Sequence, residues 1–335
     1  MQLVLAVTVP FFALVVLGWL AARLGKLPES AIPGLNAYVL WFALPCMLFR
    51  FGSSLPLATL VDPWLLGLYL AIAVVLVSFT IAVTRQSARR PAGVGMKDAG
   101  LGALVAAFPN AGFMGVPLLV ALLGPAAAGP VIGAILVDLV VTSTLCLALA
   151  STSGAGTAAD VDRRRIAAGW AAFKAGLSNP LPWAIAAGAA FHATDRVLPA
   201  PLDAVVRMLG DSATPVALFT IGAVLERAGR HAHTRTPLSR VLDVTVIKLV
   251  LHPALVFGGG SVLVLLGAPI PAFGLMVLTL SAALPSASNV SILAERMGAD
   301  NGRIARIILA TTVLAFLSFS FVAWLFLSRS PASFG

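Results

Sequence analysis

The chain has 335 residues, 59% of them hydrophobic and only 10% charged, with a mean hydropathy of +1.00. A soluble globular domain carries about 25% charged residues, so the composition excludes one and predicts a polytopic membrane protein embedded in a lipid bilayer. The net charge of +9 does not point to nucleic acid. The basic residues sit in short stretches between apolar runs, as the positive-inside rule expects.

Ten apolar spans follow one another, at 3–22, 34–51, 63–84, 98–123, 127–149, 179–193, 203–225, 239–266, 271–298 and 302–327. Most exceed the ~20 residues that cross ~30 Å of hydrocarbon. The first is followed, not preceded, by Arg23 and Lys26. That polarity is wrong for a cleaved signal peptide and suits a first transmembrane helix with its N-terminus outside. The sixth is the weakest; it contains Pro180 and Pro182 and is either short or borrows from 166–178. Cys46 and Cys146 fall inside spans, as small buried hydrophobes without disulfide or metal-ligand spacing.

The charges set the orientation. Arg23 and Lys26, then Arg85, Arg89, Arg90 and Lys97, then Arg163, Arg164, Arg165 and Lys174 follow odd-numbered spans. So do Arg227, Arg230, Arg235 and Arg240, and Arg296, Arg303 and Arg306 around the turn between spans nine and ten. With ten spans all of these lie on one side, the cytoplasmic side of a cell (inner) membrane, and both termini lie outside. The opposite loops carry little that is basic beyond Arg196 and Arg329. The stretch 151–176, rich in Ser, Gly and Ala at its start, reads as a cytoplasmic linker between halves 1–150 and 177–335.

Five spans is an odd number, so the second half enters the membrane from the other side. Pro45-Cys46-Met47-Leu48-Phe49-Arg50-Phe51-Gly52 in span two matches Pro215-Val216-Ala217-Leu218-Phe219-Thr220-Ile221-Gly222 in span seven at Pro, Leu, Phe and Gly. Ala106-Ala107-Phe108-Pro109-Asn110-Ala111 in span four returns as Ala282-Ala283-Leu284-Pro285-Ser286-Ala287 in span nine. The fold class expected is all-α: ten transmembrane helices in two inverted five-helix repeats, with helices 4 and 9 broken and crossed.

A proline in a helix interior removes a backbone hydrogen bond and clashes one turn back. Broken backbone at membrane depth must be buried in protein or line a watery cavity. Pro109 and Pro285 are therefore the helix-break residues, and each second half begins near the midplane with free N–H groups that favour an anion. Asn110 and Ser286 follow the prolines and either cap the broken ends or contact a ligand. Asn289 reads as too far along to cap, and so as a ligand or ion contact.

Ionisable residues inside apolar spans are functional candidates by default. Asp138, with Thr142 one turn on, reads as a proton carrier, a cation ligand, or the partner of a buried lysine. Lys248 would neutralise an acidic substrate, pair with Asp138, or belong to a fixed structural ion pair. His252 reads as a satisfied core imidazole, and Asp211 as an i,i+4 partner for Arg207. His-Glu-x-x-His, Gly-x-Ser-x-Gly and the Walker loop are all missing. His231 and His233, in a basic loop, make no convincing metal site. No enzyme, cofactor or metal is expected.

The motif Pro109-Asn110-x-x-x-Met114-Gly115-x-Pro117-Leu118-Leu119 resembles the most distinctive phrase of the auxin efflux carrier family, which includes plant auxin carriers and bacterial malonate-type carriers. Asn179-Pro180, Pro215 with Gly222, Lys248 with Pro253, and Pro285-x-Ala287-x-Asn289 with Ala294 fit in order. The resemblance covers nearly the whole chain. It implies a scaffold of helices 1, 2, 6 and 7, a transport domain of helices 3–5 and 8–10, and elevator-like alternating access for an organic anion. It maps the crossing onto Pro109, Asn110, Pro285 and Asn289. The short central loop resembles bacterial members, so hormone transport is not implied.

The expected function is a secondary carrier of a small carboxylate such as malonate, with Asn110, Ser286, Asn289 and Lys248 binding substrate and Asp138 coupling transport. Proton and sodium coupling both stay open, as does assembly as a homodimer. The alternatives are a sodium-coupled symporter of the bile-acid type and a membrane-embedded enzyme or sensor.

Overall fold

A computed structural model describes residues 1–54, 62–86, 94–152, 158–194, 196–230 and 237–329. Arg89, Arg90, His231, His233 and Arg235 lie outside the described residues. Within them the chain is helical, with one isolated antiparallel bridge between Pro109 and Ser286. The helices are α1 (Gln2–Arg23), α2 (Ala31–Ser54), α3 (Pro63–Gln86), α4 (Met96–Ala107), α5 (Ala111–Leu123), α6 (Pro125–Ala150) and α7 (Ala158–Leu177). They continue as α8 (Pro180–His192), α9 (Ala200–Arg230), α10 (Leu238–Leu265), α11 (Ala272–Ala282), α12 (Val290–Arg296) and α13 (Asn301–Arg329). Among the described residues seven are long and apolar enough to cross a membrane: α1, α2, α3, α6, α9, α10 and α13.

Three helix prolines follow a widened turn, whereas Pro10 of α1 and Pro215 of α9 sit in unwidened α-helix. Wide π turns occupy Val39–Ala43 in α2, Ala111–Gly115 in α5 and Ile247–Leu251 in α10. Pro45, Pro117 and Pro253 each lie six residues after the start of such a turn. A proline cannot donate to the carbonyl one turn back, and the turn before it widens to re-form the ladder. A fourth π turn, Asp138–Thr142 in α6, has no such proline; the Ser143 hydroxyl donates to the Asp138 carbonyl at 2.8 Å instead. Asp138 and Lys248 thus both sit on locally widened helix.

Glycines set how the helices pack. Cβ atoms on Gly18 of α1 and Gly222 of α9 would collide with the facing backbones at Phe219 and Val15. Gly52 of α2 and Gly188 of α8 repeat the arrangement, with an added Cβ on Gly52 falling 2.7 Å from the Ile185 carbonyl. Close backbone approach through small residues is the standard way to pack helices where no hydrophobic force separates protein from lipid. One group of helices is therefore α1 on α9 and α8 on α2, with α2 on α9. The second group gathers around α4, whose residues from Ala99 to Ala107 are all buried, with α3, α6, α10 and α13 against it.

The stretch expected as a linker holds a helix of its own. α7 lays Gly169 against Ala148 and Gly176 against the Leu139 carbonyl, and so runs along α6 as far as the Asp138 level. It stops at Asn179, whose Oδ1 accepts the Leu181 N–H at 3.0 Å and starts α8, which packs on α2. The short apolar run 179–193 is thus α8, preceded by a helix that composition alone did not mark.

Candidate functional site

The site forms where two helices stop. In α4 the Val105 carbonyl would normally accept from residue 109, but Pro109 has no N–H. The Ser286 hydroxyl donates to it instead, at 2.7 Å. Asn110 N–H turns away from its own helix to the Pro285 carbonyl at 2.8 Å, and Ala287 N–H reaches the Phe108 carbonyl at 3.0 Å. These two bonds make the bridge and hold the breaks together. In α11 the Ala282 carbonyl loses Ser286 N–H, which goes to Thr311 Oγ1 at 3.3 Å. Lys248 Nζ takes its place, donating to that carbonyl at 2.8 Å. Buried backbone groups are nearly always paired; here each break depends on groups from elsewhere in the chain.

The second halves of the broken helices differ. α5 starts at Ala111 directly after the break. On the other side the chain stays non-helical from Ala283 to Asn289, and α12 has only seven residues. Its dipole is correspondingly weak, so the two helix N-termini at the crossing are unequal. Asn289 stands at the first position before α12, not well inside a helix as its spacing suggested. Its side chain makes no capping bond, and its buried Oδ1 has no protein partner. Asn110 is buried too and makes no capping bond.

A cavity of about 50 Å³ lies against the crossing, walled by Pro109, Asn110, Asp138, Asn179 and Asn289 among others. It brings together four of the residues singled out in the sequence and adds Asn179. Pro285, Ser286 and Lys248 lie outside its wall; they hold the backbone of the breaks. Ligand pockets are typically ~300–1,000 Å³, so this cavity is closed down. A cleft of about 600 Å³ opens nearby between α2 and α9 on one side and α12 and α13 on the other. Asn36, Arg227, Ser291, Glu295, Arg296 and Asn301 are among its lining, and Arg227 reaches Glu295 across it at 3.8 Å. Asn289 on the cavity and Ser291 on the cleft are two residues apart, so α12 separates the two spaces.

Behind the cavity runs a buried polar chain. Tyr69 Oη donates to Asp138 Oδ2 at 3.0 Å, and Thr142 Oγ1 to Asp138 Oδ1 at 3.0 Å. The Tyr69 ring lies 5.9 Å from the His252 ring, and His252 Nδ1 is 3.1 Å from Lys248 Nζ. Asp138 and Lys248 form no direct ion pair; each has its own hydrogen-bond partners. His252 is not fully satisfied, since its buried Nε2 has no partner. Sequence reasoning missed Tyr69. The chain has only two tyrosines, and one in the middle of an apolar span was the available signal. The Arg207 expectation is also corrected: Arg207 pairs with Asp203 at 2.5 Å, and Asp211 with Arg50 at 2.7 Å.

An all-helical, strongly apolar chain with two broken helices meeting at a buried polar cavity has the build of a multi-pass membrane transporter. The family model described as "Membrane transport protein" matches residues 3–323. The chain belongs to that family, the family of the auxin efflux carriers. It is also 28% identical over 333 residues to a protein of Rhizobium meliloti (strain 1021) named "Putative malonate transporter". The match covers 96% of this chain and 95% of that protein.

Proposed function

We propose that the chain is a secondary-active carrier of a small organic anion, a carboxylate such as malonate, and that it works by elevator-like alternating access. The observation that carries this is the cavity at the crossing, where buried Asn110 and half-buried Asn289 line the wall with Asp138 and the start of α5. Two amides and a helix N-terminus offer N–H donors to a carboxylate without fixing a positive charge beside it. Asn289 makes no capping bond to α12, so its amide NH2 can donate to a carboxylate. Asp138 couples transport by taking up and releasing a proton.

Ten crossings result if α4 joins α5, α7 joins α8, and α11 joins α12. Two inverted repeats account for the glycine contacts, because Gly52 and Gly222 are equivalent in the repeat and each meets the first helix of the other half. The basic helix ends also gather. Arg230 Nη2 is 3.4 Å from both the Ala22 and Arg23 carbonyls, and Asp300 N–H donates to Asp98 at 2.8 Å. That end is cytoplasmic in this reading, in the cell (inner) membrane, with both termini outside. Helices α1, α2, α8 and α9 form the scaffold, and α3–α6 with α10–α13 the moving body. The cleft lies between these two groups, where a sliding motion would open a path. No chemical conversion of the substrate is involved.

Uptake of radiolabelled malonate into proteoliposomes tests the site. Asn110→Ala and Asn289→Ala each raise KM about tenfold, the loss of about 1.4 kcal/mol of binding. Unchanged affinity and rate in both variants would remove the cavity as the binding site.

A further inference from the structure

We propose that Asn179 is a further substrate-binding residue: its amide NH2 donates to the bound carboxylate from the side of the cavity that α8 supplies. This deepens the carrier reading above and rests on it for the nature of the ligand.

Asn179 stands where the chain leaves α7, which packs on α6, and enters α8, which packs on α2. Two contacts carry this third break to the cavity. Gly176 lies against the Leu139 carbonyl, and Leu181 lies against Gly112. Leu139, Gly112 and Leu181 all belong to the cavity wall beside Asn179. A helix that begins at such a place normally offers free backbone N–H groups to an anion. This one does not. Pro180 and Pro182 have no N–H, and the Leu181 N–H is taken by Asn179 Oδ1 at 3.0 Å. The Asn179 N–H goes to the Gly176 carbonyl at 3.2 Å. The Ser178 N–H and hydroxyl both go to the Lys174 carbonyl, at 2.9 and 2.8 Å. The Leu177 carbonyl is met by the Trp183 indole N–H at 2.6 Å. With its oxygen committed to the cap, the Asn179 amide keeps an NH2 with two donors as the group this break can offer a ligand.

The rest of the wall calls for such a group. No lysine or arginine is among the residues lining the cavity, so a carboxylate there is met by neutral donors. Asn110, 2% exposed and without a capping bond, and Asn289, also without one, come from the two breaks at the crossing. Asn179 adds a third amide. In the elevator scheme α8 belongs to the scaffold and the other two amides to the moving body. The Asn179 contact is then one that a shift of the moving body breaks.

The test titrates purified protein with malonate, and with malonamate as the probe in which one carboxylate is replaced by an amide. The melting midpoint reports binding, and uptake into proteoliposomes gives KM. Asn179→Asp keeps an equally good capping oxygen and exchanges the donors for a negatively charged acceptor. Its midpoint without ligand stays within about 2 °C of wild type. The malonate concentration needed for a given shift, and KM, rise at least about tenfold, as for loss of a hydrogen bond to a charged group. The loss is smaller for malonamate, whose amide can donate to the new carboxylate. An Asn179→Asp variant that binds malonate like wild type overturns the proposal, because Asn179 is then a cap alone. Equal losses for malonate and malonamate overturn it as well. If Asn179→Asp does not fold, Asn179→Ser, which keeps a capping oxygen and lacks the NH2, takes its place. A loss of malonate affinity below about threefold then overturns the proposal, and a larger one supports it. A wild type that no carboxylate stabilises strikes the carrier reading and Asn179 with it; a wild type that responds beside an unchanged variant strikes Asn179 alone.

Discussion

The two breaks answer the same problem differently. At the first, the Val105 carbonyl, orphaned by Pro109, is satisfied by a neutral hydroxyl from the opposite break. At the second, the Ala282 carbonyl is satisfied by a lysine from a third helix. The first break therefore depends on the crossing itself, and the second on α10. The two halves of the chain echo each other at Phe108-Pro109-Asn110 and Leu284-Pro285-Ser286, yet the echo does not make the breaks equal. One side continues at once into α5; the other needs several more residues before the seven-residue α12. The shared proline phrase fixes where the helices stop, and the surroundings fix what holds them open.

The largest expected effect follows from removing the charge at the second break. Lys248→Met leaves the Ala282 carbonyl without its donor and His252 Nδ1 without its polar partner. Stranding two buried polar groups, at about 1–3 kcal/mol each, costs about 2–6 kcal/mol, to be read as a lowered midpoint in thermal or denaturant unfolding. A midpoint within experimental error of wild type would show that the second break is held by something other than Lys248. The corresponding change at the first break is smaller. Ser286→Ala strands a buried carbonyl and costs about 1–3 kcal/mol. Ser286→Thr keeps the hydroxyl and recovers most of that stability. If Ser286→Ala exceeded Lys248→Met in the same assay, the difference between the breaks would be the reverse of the one described.

Much of this was written in the sequence, and the reasons are physical. Composition shows the helical membrane class, because long uncharged runs have no other stable home. The breaks are legible because proline states, residue by residue, which carbonyl loses its partner. The same rule accounts for the π turns ahead of Pro45, Pro117 and Pro253. What the sequence does not state is which distant group supplies the missing donor. Ser286 reads locally as a cap, and only the fold shows its hydroxyl reaching Val105 across the crossing. Lys248 reads as a substrate ligand or a partner of Asp138, and its backbone target lies 34 residues on. α7 was legible only as the alternative that span six borrows from 166–178, because its mixed polar and small residues carry no strong apolar signal, while its packing on α6 rests on Gly169 and Gly176. Tyr69 was overlooked because a phenol passes for an aromatic hydrophobe until a carboxylate is placed beside it.

The finest test of the comparison is a double-mutant cycle confined to the first break. Pro109→Ala restores an N–H that serves the Val105 carbonyl once Phe108, extended at the end of α4, turns back to helix. In wild type that carbonyl already has the Ser286 hydroxyl at 2.7 Å, so the single change alters stability little. With that backbone N–H free to donate, however, Ser286→Ala no longer strands an acceptor. The cost of Ser286→Ala should therefore be smaller in the Pro109→Ala background, by about 1 kcal/mol, within the range of coupling between residues that share a partner. Lys248→Met, which acts on the other carbonyl, should cost the same in both backgrounds to within about 0.5 kcal/mol. Strict additivity of Pro109→Ala with Ser286→Ala would mean that the Val105 carbonyl is not what joins them. Strong coupling of Pro109→Ala with Lys248→Met would mean that the two breaks act as one unit, and the distinction between a hydroxyl-held and a lysine-held break would then have to be given up.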